Sequence, residues 1–411
     1  MLKPDFNPTI DSRKSLILQT PHMVRQSALL LFFITAISLF SCQKSADVAA
    51  TDNEECFVGN GIRNGVKIDS QYIVMYKPDA LQNADISTLS AGNKISLMLQ
   101  RNGISETAVL GRFSGEAPGI IAKIGSAQAA RLTADPMIAA VEQDRIIALG
   151  SCFTVAAPTL VTWNIQKTGF GDGTGKTAWI IDTGIESTHP DLNVDISRSK
   201  SFLKGDASFE DKNGHGTHVA GIIGAKNNLI GVLGVASNAT LIALKVLDAE
   251  GEGTLSAIIQ ALSYVNANAK AGDVVNISLG EEDASDIFDN QVKQTAARGV
   301  FVTIAAGNDS KPAVNYSPAR ANAPNIFTVS AVDSLNNFAS FSNYGNDAVD
   351  FAAPGVHILS TFTNKRYAYL SGTSMAAPHV AGLLLLKGNK IQVAGYAKND
   401  PDGTPDPISM K

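Results

Sequence analysis

Cysteine is scarce: Cys42, Cys56 and Cys152 are the three in 411 residues. None belongs to a CxxC pair or a Cys/His cluster, which argues against a structural zinc site. Basic runs are missing as well. The 33 Lys and Arg are outnumbered by 38 Asp and Glu, and the formal net charge of −5 carries no nucleic-acid footprint. No internal repeat occurs. The HExxH of zinc proteases and the GxSxG elbow of esterases are both lacking. Gly169–Thr177 has the look of a phosphate loop, but Phe170 stands where the first glycine of GxxxxGK[ST] belongs. It also precedes its strand instead of following one, so nucleotide binding is discarded. What the chain does have is 45% hydrophobic residues against 17% charged, enough for a sizeable buried core, and length for two or three domains.

The N-terminus reads as an address. Arg25 precedes the apolar run Ala28–Phe40, too short to span a bilayer comfortably but suited to a signal-peptide core. Leu39-Phe-Ser-Cys42 resembles a bacterial lipoprotein box with Cys42 as the lipidated residue; ordinary signal cleavage is the alternative, since Phe40 is bulky for that box. Met23 is an alternative start. The expected segments are 1–42 leader, 43–70 linker, 71–149 a small domain, 150–160 a second linker, 161–390 the main domain and 391–411 a Pro/Asp-rich tail. Export permits disulfides. With Cys42 lipidated, Cys56 and Cys152 either pair or remain two free thiols.

Strand patterns at Gln71–Lys77, Thr107–Phe113, Gly119–Ile124 and Met137–Ala148 alternate with helical stretches at Thr88–Asn102 and Ser126–Ala134. The order β-α-β-β-α-β predicts a ferredoxin-like α+β unit. Beyond it the apolar runs Ala178–Asp182, Leu241–Leu247, Asp273–Leu279, Val300–Ala306 and Ile326–Val332 are separated by helical stretches such as Thr254–Ala269 and Asn290–Gly299. Runs of that kind belong to parallel strands buried on both faces, which predicts a three-layer, doubly wound α/β domain with its site at the strand ends.

Four polar groups sit at such ends. Asp182 closes the first run, and on local grounds it either caps a turn or serves chemistry. His215 and His218 begin a small-residue helix; His215 faces outward and His218 lies a turn deeper, in a structural place. Asn308 follows a buried strand, as a turn former or an amide donor. Ser374 follows Ser371-Gly-Thr373 at the start of a helix, as an N-cap or as a nucleophile beside free N–H groups and a positive helix end. Taken together they supply every group acyl transfer needs: Ser374 to attack, His215 to move the proton, Asp182 to orient His215, and Asn308 with the Ser374 N–H to hold an oxyanion.

Ile181-Asp-Thr-Gly184, His215-Gly-Thr-His-Val-Ala-Gly221 and Gly372-Thr-Ser-Met-Ala-Ala-Pro-His-Val-Ala-Gly382 resemble the three signature blocks of the subtilisin-like serine proteases. Ser340–Gly345 and Ala353–Val356 resemble its proteinase K branch. The resemblance runs from about Trp163 to Leu386. It implies a secreted, monomeric endopeptidase acting on proteins or peptides, made as a self-processing zymogen whose residues 71–149 are the inhibitory prosegment. It implies an outer-membrane, cell-surface or extracellular location, with the membrane reached only through the leader or lipid. The rival is an inactive surface-binding lipoprotein on the same fold. By position, Ser278, Leu279 and Gly280 with Ala306 and Gly307 resemble the primary specificity pocket, and Gly251–Gly253 the edge strand for extended substrate. Asp309 is expected near the pocket floor. Structural Ca²⁺ is implied at Asp191, Lys226, Asn228, Ile230 and Val232, and again at Asp350, Pro324 and Ile326; ordinary tight loops are the alternative. Ser317-Pro318 resembles a cis bond of the family. The short sequence after Ser374 and the stretch Asn399–Pro407 lead to the expectation of an irregular tail and a poorly covered serine helix.

Overall fold

The computed structural model describes residues 55–57, 64–77, 91–114, 118–148, 151–155 and 161–411, with the backbone alone for 55–57, 91–94 and 151–155. The leader with Met23 and Cys42, residue 149, and residues 150 and 156–160 of the second linker lie outside these residues. Among the described residues no helix is long and apolar enough to cross a membrane.

The larger unit is built on a nine-stranded sheet. In spatial order its strands are Gln392–Tyr396, Pro407–Met410, Phe351–Pro354, Ile326–Val332, Phe301–Ala305, Val274–Ile277, Thr177–Asp182, Thr240–Lys245 and Lys200–Ser201. All pairings are parallel except that of Gln392–Tyr396 with Pro407–Met410. Side chains alternate between two cores, as a pleated strand requires. Trp179 and Ile181 pack against the helices Leu255–Asn268 and Asp286–Ala297, while Ala178 and Ile180 pack against His215–Gly224 and Thr373–Lys387. These are the three expected layers. Of the two strands that flank Thr177–Asp182, Thr240–Lys245 on one side precedes Val274–Ile277 on the other in sequence. Asp182 therefore ends the strand where the chain changes direction across the sheet, the place where open α/β sheets form their binding crevice.

Residues 64–148 form the small α+β unit in the predicted element order. Lys67–Tyr76, Val109–Phe113, Gly119–Lys123 and Ile138–Ala148 make an antiparallel sheet in the order fourth, first, third, second, with helices Ala91–Arg101 and Ser126–Thr133. The first strand starts four residues earlier than predicted. One face of this sheet buries Val74, Ile120 and Ile138 under its helices. The other contributes Ile73, Ile121 and Ile147 to the core around helix Leu255–Asn268. A fifth strand, Glu252–Thr254 of the larger unit, pairs with Ile138–Ala148.

The Asp/Pro-rich stretch expected to be irregular is a turn, and it joins two strands, Gln392–Tyr396 and Pro407–Met410, that extend the main sheet. Asp406 is buried and accepts from Ser330 (2.5 Å) and Asn346 (3.3 Å), while Asp400 accepts from the Asp406 N–H (3.1 Å). One expectation is corrected: the serine helix is neither short nor uncovered, running from Thr373 to Lys387 and buried through Leu385. The second linker also holds a strand, Ser151–Val155, paired with Arg366–Leu370 on one side and Glu55–Phe57 on the other.

Candidate active site

Asp182 and His215 meet at the carboxyl end of the central strand. His215 Nδ1 lies 2.8 Å and 3.0 Å from the two Asp182 oxygens, and both side chains are buried. A carboxylate cannot donate, so Nδ1 carries the proton and Nε2 is left as an acceptor. The approach depends on Gly216. A Cβ there would stand 2.2 Å from the Gly184 carbonyl oxygen and 3.1 Å from Asp182 Oδ1.

Two groups that sequence reasoning missed hold this corner. Asp211 accepts from the N–H groups of Asn213, Gly214 and Thr217 (2.9 Å each) and from the Thr217 hydroxyl (2.6 Å), anchoring the start of the histidine helix. Its signal was local: an acid just ahead of Asn-Gly at a helix start. Lys245, fully buried, donates to the carbonyls of Thr183 (2.6 Å) and Leu247 (2.8 Å), and burial pulls its pKa down. His218 is structural as expected: its ring lies 2.9 Å from the Ile358 carbonyl, and burial pushes its pKa down to about 3.

Ser374 is the second residue of its helix and opens onto a cavity of about 190 Å³ that also contains His215 and Asn308. Its hydroxyl donates to the Ser278 carbonyl (3.1 Å), so Oγ is engaged on the pocket wall instead of on His215. Asn308 Oδ1 accepts from the backbone and hydroxyl of Thr373 (2.8 and 3.0 Å). That fixes the amide orientation and presents Nδ2 as the donor. Ser278, Leu279, Gly280, Ala306, Gly307 and Asp309 line this cavity. Tyr316, buried and unforeseen, lines it too. Ser317-Pro318 is cis.

The edge strand is Glu252–Thr254, one residue later than the glycine pattern implied. Gly251 forms the turn before it, with φ +75°, and Gly253 lies opposite Ile147 of the small unit. Ala148 and Asn64 of the small unit line the Ser374 cavity, and Asn64 donates to the Gly280 carbonyl (3.1 Å). Ser285 donates to Glu142 (2.9 Å) and the Ser256 N–H to Asp144 (3.0 Å), so two small-unit carboxylates sit at the starts of two helices of the larger unit. Between them Arg145 faces Glu281 at 3.4 Å, with Glu142 and Asp283 beside it. Burial pushes the Glu281 pKa up to about 8 against the lowering effect of Arg145.

The first candidate cation loop is assembled. Asp191 Oδ2 accepts from the Val232 N–H (2.9 Å), the Lys226 N–H donates to the Asp191 carbonyl (2.8 Å), and Asn228 Oδ1 accepts from Ile230 (3.2 Å). Asp191 Oδ1 is buried with no partner, and burial raises the pKa to about 6. Among the described residues no group of three or more His, Cys, Asp or Glu is placed to hold a metal. At the second loop the Asp350 carboxylate accepts from the Thr328 N–H (2.8 Å), and no hydrogen bond of this side chain reaches Pro324 or Ile326.

A family model described as the subtilase family matches residues 173–393. An alkaline protease of Alkalihalobacillus alcalophilus is 36% identical over 342 residues, 80% of this chain and 85% of that protein. Subtilisin BL of Lederbergia lenta is 46% identical over 233 residues, 55% of this chain and 83% of that one. The crystal structure of a cold adapted subtilisin-like serine proteinase is similar with a TM-score of 0.54 at 33% identity, covering 61% of this chain and 98% of that one.

If Nδ2 of Asn308 serves a developing oxyanion, Asn308→Ala lowers kcat about 10²- to 10³-fold with KM little changed. Steady-state kinetics on a peptide substrate check this; a loss confined to KM would contradict it.

Proposed function

The chain belongs to the subtilase family and is a serine-type endopeptidase, and from that premise we propose that Asp182, His215, Ser374 and Asn308 carry out the hydrolysis. Ser374 Oγ attacks the scissile carbonyl while His215 Nε2 takes its proton and returns it to the leaving amine. Asp182 holds the ring and balances the imidazolium. Asn308 Nδ2 and the Ser374 N–H receive the oxyanion. Water then releases the acyl group by the same proton path. The observation that carries this reading is the Asp182–His215 pair in the cavity that Ser374 shares. Extended substrate adds to the strand Glu252–Thr254 by main-chain pairing.

In this reading residues 71–149 are an inhibitory prosegment. Support comes from strand Ile138–Ala148, which already pairs with the substrate edge and brings Ala148 to the cavity. The protein is exported, lipidated at Cys42 and made as a zymogen that cleaves off its own prosegment, acting on proteins or peptides as a monomer. Calcium fits the first loop, where the orphan Asp191 Oδ1 awaits a cation; Asn228 and the carbonyls of Lys226, Ile230 and Val232 would complete an all-oxygen set. It would supply stability there, not chemistry. The second loop, with Asp350 engaged by Thr328, offers no such orphan.

Ser374→Ala is expected to abolish casein hydrolysis, self-processing and labelling by a fluorophosphonate probe. A purified variant that still processes itself would overturn the assignment, and a folded wild-type protein that fails to label would favour the inactive binding protein. Calcium removal by chelation should lower Tm by several degrees and Asp191→Asn should remove that difference; a Tm indifferent to chelator refutes the site. The prosegment contact should also depend on pH. A carboxyl whose pKa is raised by burial stabilises the contact most below its free value near 4.5 and loses that contribution as pH rises through about 8. With reductant present, the prosegment of the Ser374→Ala chain, nicked by added protease, should dissociate faster at pH 9 than at pH 6, with a smaller difference in Glu281→Gln. Equal rates at both pH values would contradict the coupling.

A further inference from the structure

We infer that Cys56 and Cys152 form a disulfide that keeps the prosegment covalently attached to the enzyme after self-cleavage. This rests on the zymogen reading above for the cleavage, and on the fold alone for the bond.

The position of the cut comes first. Strand Ile138–Ala148 ends at Ala148, which lines the Ser374 cavity. The next described segment, Ser151–Val155, pairs with Arg366–Leu370, with Phe153 opposite Leu370. Four residues after Leu370 comes Ser374 itself. The chain on both sides of Leu149 and Gly150 is thus placed against elements that lead to the nucleophile. The scissile bond is one of the three that join Ala148 to Ser151. All three precede Cys152, so hydrolysis leaves Cys152 near the new N-terminus of the enzyme and Cys56 on the prosegment.

The register supplies the second part. Glu55–Phe57 runs antiparallel to Ser151–Val155, with Cys56 directly opposite Cys152. Directly opposed residues of an antiparallel pair have Cα atoms about 4.5–5.5 Å apart. That falls inside the roughly 4.4–6.8 Å span of disulfide-bonded cysteines. The only other cysteine is Cys42 in the leader. In forming the bond the two thiols give up two protons and two electrons to an exchanging disulfide of the extracytoplasmic space, which is reduced to a dithiol.

Once the peptide bond is hydrolysed, this link converts loss of the prosegment from dissociation of two molecules into opening within one. The effective concentration of the inhibitor then stays in the millimolar range whatever the dilution. Activity is released by degradation of the prosegment or by reduction of the bond, and any lipid on Cys42 remains joined to the enzyme.

The test uses the full chain exported into an oxidising compartment. Processed wild-type protein should run as one band without thiol and as two with it, and mass spectrometry should find a Cys56–Cys152 cross-linked peptide. Cys56→Ser should give two bands without thiol. Two bands from processed wild-type protein without thiol, or a new N-terminus beyond Cys152, would overturn the tether. The uncleaved Ser374→Ala chain separates the two layers of the argument. Under denaturing conditions without reductant, Cys56 and Cys152 should resist maleimide labelling there even if the wild type never processes itself. Labelling at both positions refutes the disulfide, and failed processing alone refutes the zymogen reading.

Discussion

The bond between Asp182 and His215 sets what the surrounding fold must do. A carboxylate and an imidazole that both lie out of water are costly unless each satisfies the other. The chain meets this by ending its central strand at Asp182 and starting a helix at His215, with Gly216 allowing the two backbones to approach. Asp211 and Lys245 then hold the helix start and the turn after Asp182 from opposite sides. The Asp182–His215 geometry is thereby built into a strand end and a helix start.

The small unit packs along the strand Glu252–Thr254 and reaches the Ser374 cavity. Its last strand pairs with Glu252–Thr254, and its carboxylates sit at the starts of the helices Leu255–Asn268 and Asp286–Ala297. Main-chain pairing supplies attachment that is largely independent of side-chain identity. The buried group around Arg145 and Glu281 is different in kind. It places charge where an apolar contact would hold more firmly, and buried ionic clusters of this sort are a known source of conditional stability.

Much of this was legible in the sequence. The central strands announce themselves as short apolar runs because both faces are covered; Asp182 ends and Asn308 follows such a run, while His215 and Ser374 stand at helix starts. What stayed hidden depends on distant partners. Asp406 reads as part of a solvated acidic turn, yet its partner Ser330 is 76 residues away. Lys245 reads as the polar end of a strand, and nothing nearby tells that its ammonium reaches the Thr183 carbonyl 62 residues away. Glu281 follows the pocket segment like any loop acid, and only the packing of Arg145 from another unit makes it exceptional.

The strand Pro407–Met410 has a further consequence in time. Pairing with Phe351–Pro354, it is the last strand of the sheet in sequence, and the Lys411 N–H reaches back to the Thr168 carbonyl (2.8 Å). The small unit needs contacts of shorter sequence range. During vectorial synthesis it is complete before any strand of the main sheet is made, the first being Thr177–Asp182. Closure of the larger unit waits for a segment that emerges after the serine helix, so an early-emerging cap is in place before the nucleophile has a finished scaffold.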